Sequence, residues 1–326
     1  MNIAINGFGR IGRAIFKIAL DRKLNVVAIN DAHGPESTAY MLKFDSVYGK
    51  YNHKVEAGKD FIKVDGKKIR VVSERDPLKL PWKSLGIDIV VESTGALTNA
   101  KEALSHIKAG AKKVIITAPA KNPDVTIVPG VNDAWLKSSH KIISVGSCTT
   151  NCTAIIAKVL LDTFGVRYAM LTTIHAYTND QAIQDSAHHN IRRGRAGALN
   201  MVPTTTGAAE TVIEVLPKLK GLMTGLSVRV PVACGSLTDL TVEVLKKATI
   251  KSVNAAFKKA SQKSMKGIIE YSEDELVSSD VIGNPHSAVV DALSTQVDGN
   301  LVKVLAWYDN EYGYSQRVVD VVRMLR

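Results

Sequence analysis

The sequence predicts an α/β protein with a doubly wound sheet in its N-terminal part and an α+β domain with a mostly antiparallel sheet in its C-terminal part. In the N-terminal part, short apolar runs alternate with helical patterns, as in parallel sheets that are covered by helices. In the C-terminal part, longer strand-like runs follow one another with fewer helices between them. A length of 326 residues also fits two domains.

The composition is that of a globular protein, with 45% hydrophobic and 22% charged residues. No apolar run reaches the roughly 18 residues that a membrane span needs, and no signal-peptide pattern is visible at the N-terminus. Three cysteines are too few for a disulfide framework. We therefore expect a cytoplasmic protein that does not bind membranes.

The net charge of +11 would suit nucleic acids, membrane surfaces or phosphorylated metabolites. The lysines are scattered, with only short pairs such as Lys112-Lys113, and no nucleic-acid-binding motif accompanies them. The charge therefore predicts a solvated surface, without a dedicated nucleic-acid site, that could attract anionic substrates.

A glycine motif lies between the first predicted strand, residues 2–6, and a helical pattern over residues 14–20. It has the form G-x-G-x-x-G, with Gly7, Gly9 and Gly12 at its fixed positions. These glycines suit, in order, a tight turn, the close approach of a pyrophosphate, and close packing of helix against strand. The motif predicts a Rossmann-type dinucleotide-binding turn.

The next strand pattern, residues 25–29, leads into Asp31. An acidic residue at this distance from the glycines is expected to bind the adenosine ribose. Apolar runs at 87–91 and 113–116 predict further parallel strands with a helix between them at 100–109. The alternation around Asp65-Gly66 predicts a hairpin inserted within residues 48–72.

The segment Ser147–Cys152 follows a predicted strand at 141–145 and precedes a long helical pattern. Cys148 is therefore expected in the first helical turn, where N–H groups and the helix dipole favour an anion. We expect this thiol to lose its proton more easily than a free one. Ser147 and Thr149 add hydroxyls that could cap the helix or bind an anion. The alternative is that Cys148 is only a small buried hydrophobe.

His175 ends a predicted strand that begins at Arg167, and it is a natural base for a cysteine. Spacing alone does not show that the two meet, and His53, His106 and His188 are competitors.

Cys148 and Cys152 are four residues apart, but no second ligand pair follows. No metal site is therefore predicted, and Cys152 is expected on the inner face of the helix.

A long polar segment at 177–203 contains three close arginines, Arg192, Arg193 and Arg195. It predicts a functional loop or an interface that binds phosphate or a neighbouring subunit, with a solvated face as the alternative. The other elements predicted in the C-terminal part are strands at 225–232, 237–244 and 302–308, and helices at 208–216, 252–264 and 316–326.

Five segments together resemble the phosphorylating glyceraldehyde-3-phosphate dehydrogenases and occur in the order of that family. They are Asn6–Arg13, Ser147–Cys152, His175–Gln181, Pro203–Ala209 and Trp307–Glu311. The resemblance implies oxidation of D-glyceraldehyde 3-phosphate to 1,3-bisphosphoglycerate, with inorganic phosphate and NAD(P), in glycolysis or gluconeogenesis. It also implies a homotetramer in which the 177–203 loop lies between subunits.

The resemblance further implies roles for individual residues. Cys148 would be the nucleophile and His175 its base, while Thr178 and Arg229 would bind the phosphate of the substrate. The positions implied for inorganic phosphate are Ser147, Thr149, Thr206 and Gly207, with Arg195 near by. The positions implied for the cofactor are Gly7, Gly9, Arg10, Ile11, Gly12, Asp31, Arg75, Thr117 and Asn310. The implied domains are 1–147 with the C-terminal helix 312–326 for the dinucleotide, and 148–311 for catalysis.

Two places in the sequence favour different cofactors, NADP and NAD. Asp185–His188 reads Asp-Ser-Ala-His, which resembles family members that also accept NADP. Asp31 argues for NAD, because its charge opposes a 2′-phosphate. We therefore expect use of NAD and also of NADP.

Two rival functions stay open at this point. Erythrose-4-phosphate dehydrogenase shares the thioester chemistry but releases a free acid, and Thr178 together with the run 203–207 favours the phosphorylating enzyme instead. A basic nucleic-acid-binding or surface adhesion protein on a dehydrogenase scaffold would not need Cys148.

Overall fold

The computed structural model describes residues 1–325, and the chain forms two compact units. The first comprises residues 1–127, 134–146 and the C-terminal segment that begins at Ser315. The second comprises residues 128–133 and 147–314.

The first unit is built on a nine-stranded sheet with the order β10-β11-β9-β8-β1-β2-β7-β6-β5. Its elements are β1 (Asn2–Asn6), α1 (Arg10–Asp21), β2 (Asn25–Asn30), α2 (Gly34–Lys43), β5 (Val55–Ala57), β6 (Phe61–Val64), β7 (Lys67–Val72), β8 (Ile89–Glu92), α3 (Ala100–Lys108), β9 (Lys113–Ile116), β10 (Val125–Thr126) and β11 (Ile142–Ser144). A separate two-stranded sheet pairs β3 (Phe44–Asp45) with β4 (Gly49–Lys50).

The strands from β10 to β7 are parallel, and the chain reverses direction across the sheet at β1, which lies between β2 and β8. The central strands are almost wholly buried, so their Val and Ile runs are covered on both faces, as in doubly wound sheets. The carboxyl ends beside β1 form the switch point at which such sheets bind ligands.

The predicted hairpin is confirmed. β6 and β7 pair antiparallel around Asp65 and Gly66. Both turn residues have positive φ, 46° and 86°, as a two-residue hairpin turn of the Asp-Gly type requires. β7 also pairs in parallel with β2, so the hairpin extends the main sheet.

The second unit contains a seven-stranded sheet with the order β13-β14-β12-β15-β18-β17-β16. Its elements are α4 (Cys148–Phe164), β12 (Val166–Ala176), β13 (Val202–Thr204), α5 (Ala208–Val215), β14 (Met223–Val230), β15 (Ser236–Val244), α6 (Ile250–Gln262), β16 (Ile269–Ser272), β17 (Ala288–Asp298) and β18 (Leu301–Tyr308). Only β12–β14 and β16–β17 pair in parallel, which confirms the predicted mostly antiparallel sheet.

Helix α4 lies in the core of the second unit. Ile155, Ile156 and Leu160 are fully buried in one cluster with side chains of the sheet, such as Leu240 and Val304. Because the helix is apolar nearly all round, it is held by packing on several sides. This packing fixes the position of its first residue, Cys148.

The structure differs from the sequence-based elements in a few places. Helix α2 and strands β16 and β17 were not predicted, and polar residues together with a register shift between Asp291 and Gln296 interrupt the alternation in β17. The C-terminal helix α7 (Tyr312–Met324) begins at residue 312, as the resemblance implied, and four residues before the apolar pattern at 316–326, whose last residue lies outside the described residues.

The compact units also differ from the predicted domain ranges. Residues 128–133 belong to the second unit, because Val128 is buried in the cluster around α4 and Val131 packs against it.

Candidate active site

Cys148 is the first residue of α4, and Ser147 caps this helix. The Ser147 Oγ accepts a hydrogen bond from the Thr150 N–H at 3.0 Å, and it lies 2.8 Å from the Thr150 hydroxyl. Gly146, with a φ of 62°, turns the chain from β11 towards the helix. The predicted strand, turn and helix around the cysteine are therefore confirmed.

Cys148 and His175 meet, with the cysteine Sγ 3.3 Å from the His175 Nε2. The Nδ1 atom of His175 lies 2.7 Å from the carbonyl oxygen of Ala176. A carbonyl can only accept, so Nδ1 carries the proton and a neutral ring presents Nε2 as an acceptor. The thiol therefore donates to Nε2, in the geometry of a nucleophile with its base.

The ionisation of this pair corrects one prediction. Burial raises the pKa of the Cys148 thiol above its ordinary value, although Arg229 and the Thr149 N–H act in the opposite direction. Burial, followed by the charge of Arg229, lowers the pKa of His175. The expected easy ionisation of the thiol was therefore wrong, because desolvation outweighs the helix terminus. The Nε2 atom of His175 is therefore placed to accept the proton of the thiol.

Arg229 and Thr178 form a second group beside this pair. In the β12–β14 ladder His175 is the direct partner of Arg229, so the two side chains leave the same face of the sheet. The Arg229 guanidinium donates to the Thr178 hydroxyl at 2.8 Å. A half-buried cation with a neighbouring hydroxyl is suited to bind an anion.

The arginine of the long loop that joins this group is Arg193, not the predicted Arg195. Arg193 donates to Asp180 at 2.7 Å and to the Thr204 hydroxyl at 2.9 Å, and its charge acts on Arg229. Arg195 is exposed and pairs with Asp185 at 2.7 Å. The sequence does not distinguish the two arginines. Arg193 lies in the short helical turn Ile191–Gly194 and Arg195 follows it, and the two side chains have different partners.

The hydroxyls predicted to bind inorganic phosphate each have a partner within the second unit. The Thr149 hydroxyl lies 2.8 Å from the Tyr308 hydroxyl, which also lies 2.9 Å from the Thr173 hydroxyl. The Thr206 Oγ accepts from the Ala208 N–H at 3.1 Å. Gly207 is the N-cap of α5, with open space where a side chain would be. The fully buried Tyr308 was not predicted from the sequence.

The competing histidines have other partners. His53 pairs with Asp65, His106 is buried against Glu92 at 2.9 Å, and His188 lies 3.6 Å from Asp180. Among residues 1–325, His175 is thus the histidine that contacts Cys148.

Cys152 is buried in α4, as predicted, and burial raises the pKa of its thiol to about 12. No group of three potential metal ligands occurs within the described part of the chain.

The glycine turn of the first unit fits a dinucleotide. Gly7 has a φ of 90°, and a Cβ there would lie 2.7 Å from the Thr94 nitrogen. A Cβ on Gly12 would lie 2.1 Å from the Gly7 oxygen. Gly9 has no atom within 4 Å of its Cβ position, which leaves its backbone open to a ligand. The three glycines therefore have the separate roles that a pyrophosphate-binding turn requires.

A cavity of about 410 Å³ adjoins this turn, and its lining includes Phe8, Gly9, Asp31 and His33. The Asp31 carboxylate accepts the Phe8 N–H at 3.2 Å and the His33 N–H at 3.0 Å. These bonds hold the acid at the end of β2, where a ribose hydroxyl could donate to it.

The remaining predicted cofactor positions are distributed over both units. Ile11 lies in the first turn of α1, and Arg10, beside it, donates to Asp45 at 2.9 Å. Arg75 is exposed. The Thr117 hydroxyl donates to the Glu92 carbonyl at 3.1 Å at the end of β9. Asn310 belongs to the second unit, where its Oδ1 accepts from the Ser236 hydroxyl at 2.9 Å.

A turn that fits a dinucleotide in the first unit and a cysteine in contact with a histidine in the second are features of NAD-dependent oxidoreductases. Family models support this class. Residues 1–100 match the NAD binding domain of glyceraldehyde 3-phosphate dehydrogenase, and residues 147–310 match its C-terminal domain. The chain therefore belongs to the glyceraldehyde 3-phosphate dehydrogenase family, and the resemblance seen in the sequence is confirmed.

Curated relatives agree over the full length. A glyceraldehyde-3-phosphate dehydrogenase of Borreliella burgdorferi is 53% identical over 100% of this chain and 99% of its own length. The enzyme of that name from Thermotoga maritima is 53% identical over 99% of this chain and 98% of its own. Glyceraldehyde-3-phosphate dehydrogenase 2 of Bacillus subtilis is 52% identical over 99% and 96%.

No helix within residues 1–325 combines the length and the hydropathy that crossing a bilayer requires.

Proposed function

We propose that this chain oxidises D-glyceraldehyde 3-phosphate to 1,3-bisphosphoglycerate, with inorganic phosphate as co-substrate and NAD as cofactor. The observation that carries the proposal is the 3.3 Å contact between the Cys148 thiol and the neutral His175 base. The relatives, named as glyceraldehyde-3-phosphate dehydrogenases, support the substrate.

In the first step, the Cys148 sulfur attacks the aldehyde carbon and a C–S bond forms. His175 Nε2 takes the thiol proton and returns it to the new hydroxyl oxygen, which gives a thiohemiacetal. The raised pKa of the thiol makes this base necessary, because little thiolate exists at neutral pH without it.

In the second step, His175 removes the hydroxyl proton of the thiohemiacetal, so that electron density on the oxygen expels hydride from the carbon. NAD, when bound, supplies the hydride acceptor. A thioester remains on Cys148 and the imidazole is now protonated. In the third step, an oxygen of inorganic phosphate attacks the thioester carbon and the C–S bond breaks. The leaving sulfur takes the proton from His175, which restores the neutral pair.

Two anion sites follow from this chemistry. Thr178 and Arg229 would bind the phosphate of the substrate, and the position of Arg229 opposite His175 in the β12–β14 ladder supports that role. Inorganic phosphate would bind at a set of small polar residues, Ser147, Thr149, Thr206 and Gly207. Arg195 was expected near by, and we add Arg193 to this group because it donates to the Thr204 hydroxyl and to the Thr205 carbonyl, next to Thr206.

For the cofactor, Gly7, Gly9 and Gly12 would bind the pyrophosphate and Asp31 the adenosine ribose. The other proposed contacts are Arg10, Ile11, Arg75, Thr117 and Asn310. NADP would be an alternative cofactor that binds more weakly, because the negative charge of Asp31 repels its 2′-phosphate.

The decisive experiment measures NADH formation from D-glyceraldehyde 3-phosphate with and without inorganic phosphate. NADP at equal concentration and Cys148→Ser are parallel arms. The proposal expects phosphate-dependent turnover with NAD, slower turnover with NADP, and none with Cys148→Ser. Turnover that is independent of phosphate would indicate a free-acid product and contradict it. An unchanged principal function in Cys148→Ser would support a binding protein instead.

We also propose a cytoplasmic homotetramer in which the first unit binds the dinucleotide and the second performs catalysis. The long loop supports the subunit contact, because four of its apolar side chains are exposed by more than 70%: Ile183, Ile191, Leu199 and Met201. Several large apolar side chains exposed within one segment favour an interaction surface. Sedimentation equilibrium would test this, and a monomer at micromolar concentration would refute it.

A further inference from the structure

A buried polar network lies beneath the glycine turn of the first unit, and the chemistry above does not use it. Three side chains from separate segments form it: Trp82 in the loop before β8, Glu92 at the end of β8, and His106 in α3. All three are buried to 2% exposure or less. Apolar residues of the helix–sheet layer, including Ala103 and Val90, surround them.

The hydrogen bonds of this network have a defined direction. The Trp82 Nε1–H can only donate, and it lies 3.0 Å from the His106 Nδ1, which therefore accepts. The His106 ring is then neutral with its proton on Nε2, which donates to the Glu92 Oε2 at 2.9 Å. The Asn6 amide donates to the same oxygen at 2.6 Å.

The other carboxylate oxygen of Glu92 faces the loop after β8. Its Oε1 accepts the Thr94 N–H at 2.8 Å and the Thr94 hydroxyl at 2.5 Å. The nitrogen of Thr94 is the atom that a Cβ on Gly7 would meet at 2.7 Å. The neighbouring Ser93 hydroxyl donates to the Gly7 carbonyl at 2.7 Å.

A continuous chain of hydrogen bonds thus leads from Trp82 through His106 and Glu92 to the backbone against which the glycine turn packs. An apolar filling of the same volume would cost less desolvation than a buried carboxylate. The polar network instead fixes a position, because the two carboxylate oxygens of Glu92 have defined partners and hold the Thr94 N–H in one place.

We propose that Trp82, His106 and Glu92 are positioning residues for the dinucleotide-binding turn and thereby set the affinity for NAD. None of the three contacts the nucleotide in this proposal. They act through Thr94 on Gly7. The inference rests on the proposed binding of NAD to this turn.

The test compares two substitutions of His106. His106→Leu removes both hydrogen bonds, whereas His106→Gln retains one acceptor and one donor. Calorimetric titration with NAD should show a dissociation constant about tenfold higher for His106→Leu. His106→Gln should stay within about threefold of the unsubstituted chain. Alkylation of Cys148 by iodoacetamide in the absence of NAD should proceed at the same rate in all of them.

Ile62→Ala is the matched control. Ile62 is fully buried in β6 of the same unit, so its truncation lowers stability without touching the network. Trp82→Phe retains the aromatic packing and removes one N–H. If His106→Leu does not fold, the affinity of Trp82→Phe for NAD tests the proposal instead.

The proposal would be overturned if His106→Leu or Trp82→Phe bound NAD as tightly as the unsubstituted chain. An equal loss of affinity in Ile62→Ala, or no rescue by His106→Gln, would also overturn it. If the unsubstituted chain itself fails to bind NAD, the proposed function fails, which is distinct from these outcomes.

Discussion

Replacing His175 by Asn tests the central claim of the mechanism. The side chain keeps a similar size and can still receive a hydrogen bond from the Cys148 thiol 3.3 Å away. An amide, however, cannot accept a proton at neutral pH. Within residues 1–325, no other histidine contacts Cys148, so no substitute base is at hand.

The expected fall in kcat follows from the proposed role of His175 as a general base. A positioned general base contributes about 10²–10⁴ to a rate, and we expect kcat to fall by about 10³, which corresponds to about 4 kcal/mol in the barrier. The KM for the aldehyde should change much less, because Arg229 and Thr178 keep their mutual hydrogen bond.

The pH dependence gives an independent check. Burial raises the pKa of Cys148, so without its base the thiol must ionise alone, and the population of thiolate increases with pH. Iodoacetamide alkylation of His175→Asn should therefore rise continuously from pH 6 to pH 9 and lie to the alkaline side of the unsubstituted profile. His53→Asn, at an exposed histidine, is the control.

A kcat for His175→Asn within tenfold of the unsubstituted enzyme would refute the assignment of the base. An alkylation profile identical to that of the unsubstituted chain would refute the role of His175 in activating the thiol.

Three other predictions concern the surrounding groups. Arg229→Gln should slow alkylation of Cys148 at pH 7, because Arg229 lowers the pKa of that thiol; an unchanged alkylation rate contradicts this. Tyr308→Phe should lower the free energy of unfolding by about 1–3 kcal/mol, since two buried hydroxyls lose their partner; denaturant unfolding measures this, and equal stability would count against it. Gly9→Ala should leave the melting temperature unchanged yet weaken NAD binding in calorimetry. Gly12→Ala should lower both the melting temperature and the affinity for NAD, because only a Cβ on Gly12 would meet backbone, at 2.1 Å. Equal melting temperatures for the two variants would contradict this difference.

The local elements around the functional residues could be predicted from the sequence because their signals are local. The glycine turn needs three residues without side chains at a fixed spacing, and the helix that begins at Cys148 needs a cap and an apolar run. The Asp-Gly hairpin is equally local, since both turn residues adopt positive φ. Each of these depends on neighbours within a few positions.

The ionisation of Cys148 could not be predicted in this way. A helix terminus is visible in the sequence, but the desolvation that raises the pKa of the thiol comes from the packing around it. Strand β17 was missed for a related reason, because its polar residues are accommodated by a register shift against β18.

The sequence by itself determined the family and the sheet types, and it named a candidate nucleophile and a candidate base, since these depend on residue types at set spacings. Only the tertiary structure decided that His175 meets Cys148, that the charge of Arg193 acts on Arg229, and that His106 belongs to a network under Gly7. The physical reason is that the contacts of His106 and His175 join residues 14 to about 100 positions apart. Their geometry is set by strand register and core packing, which no local pattern encodes.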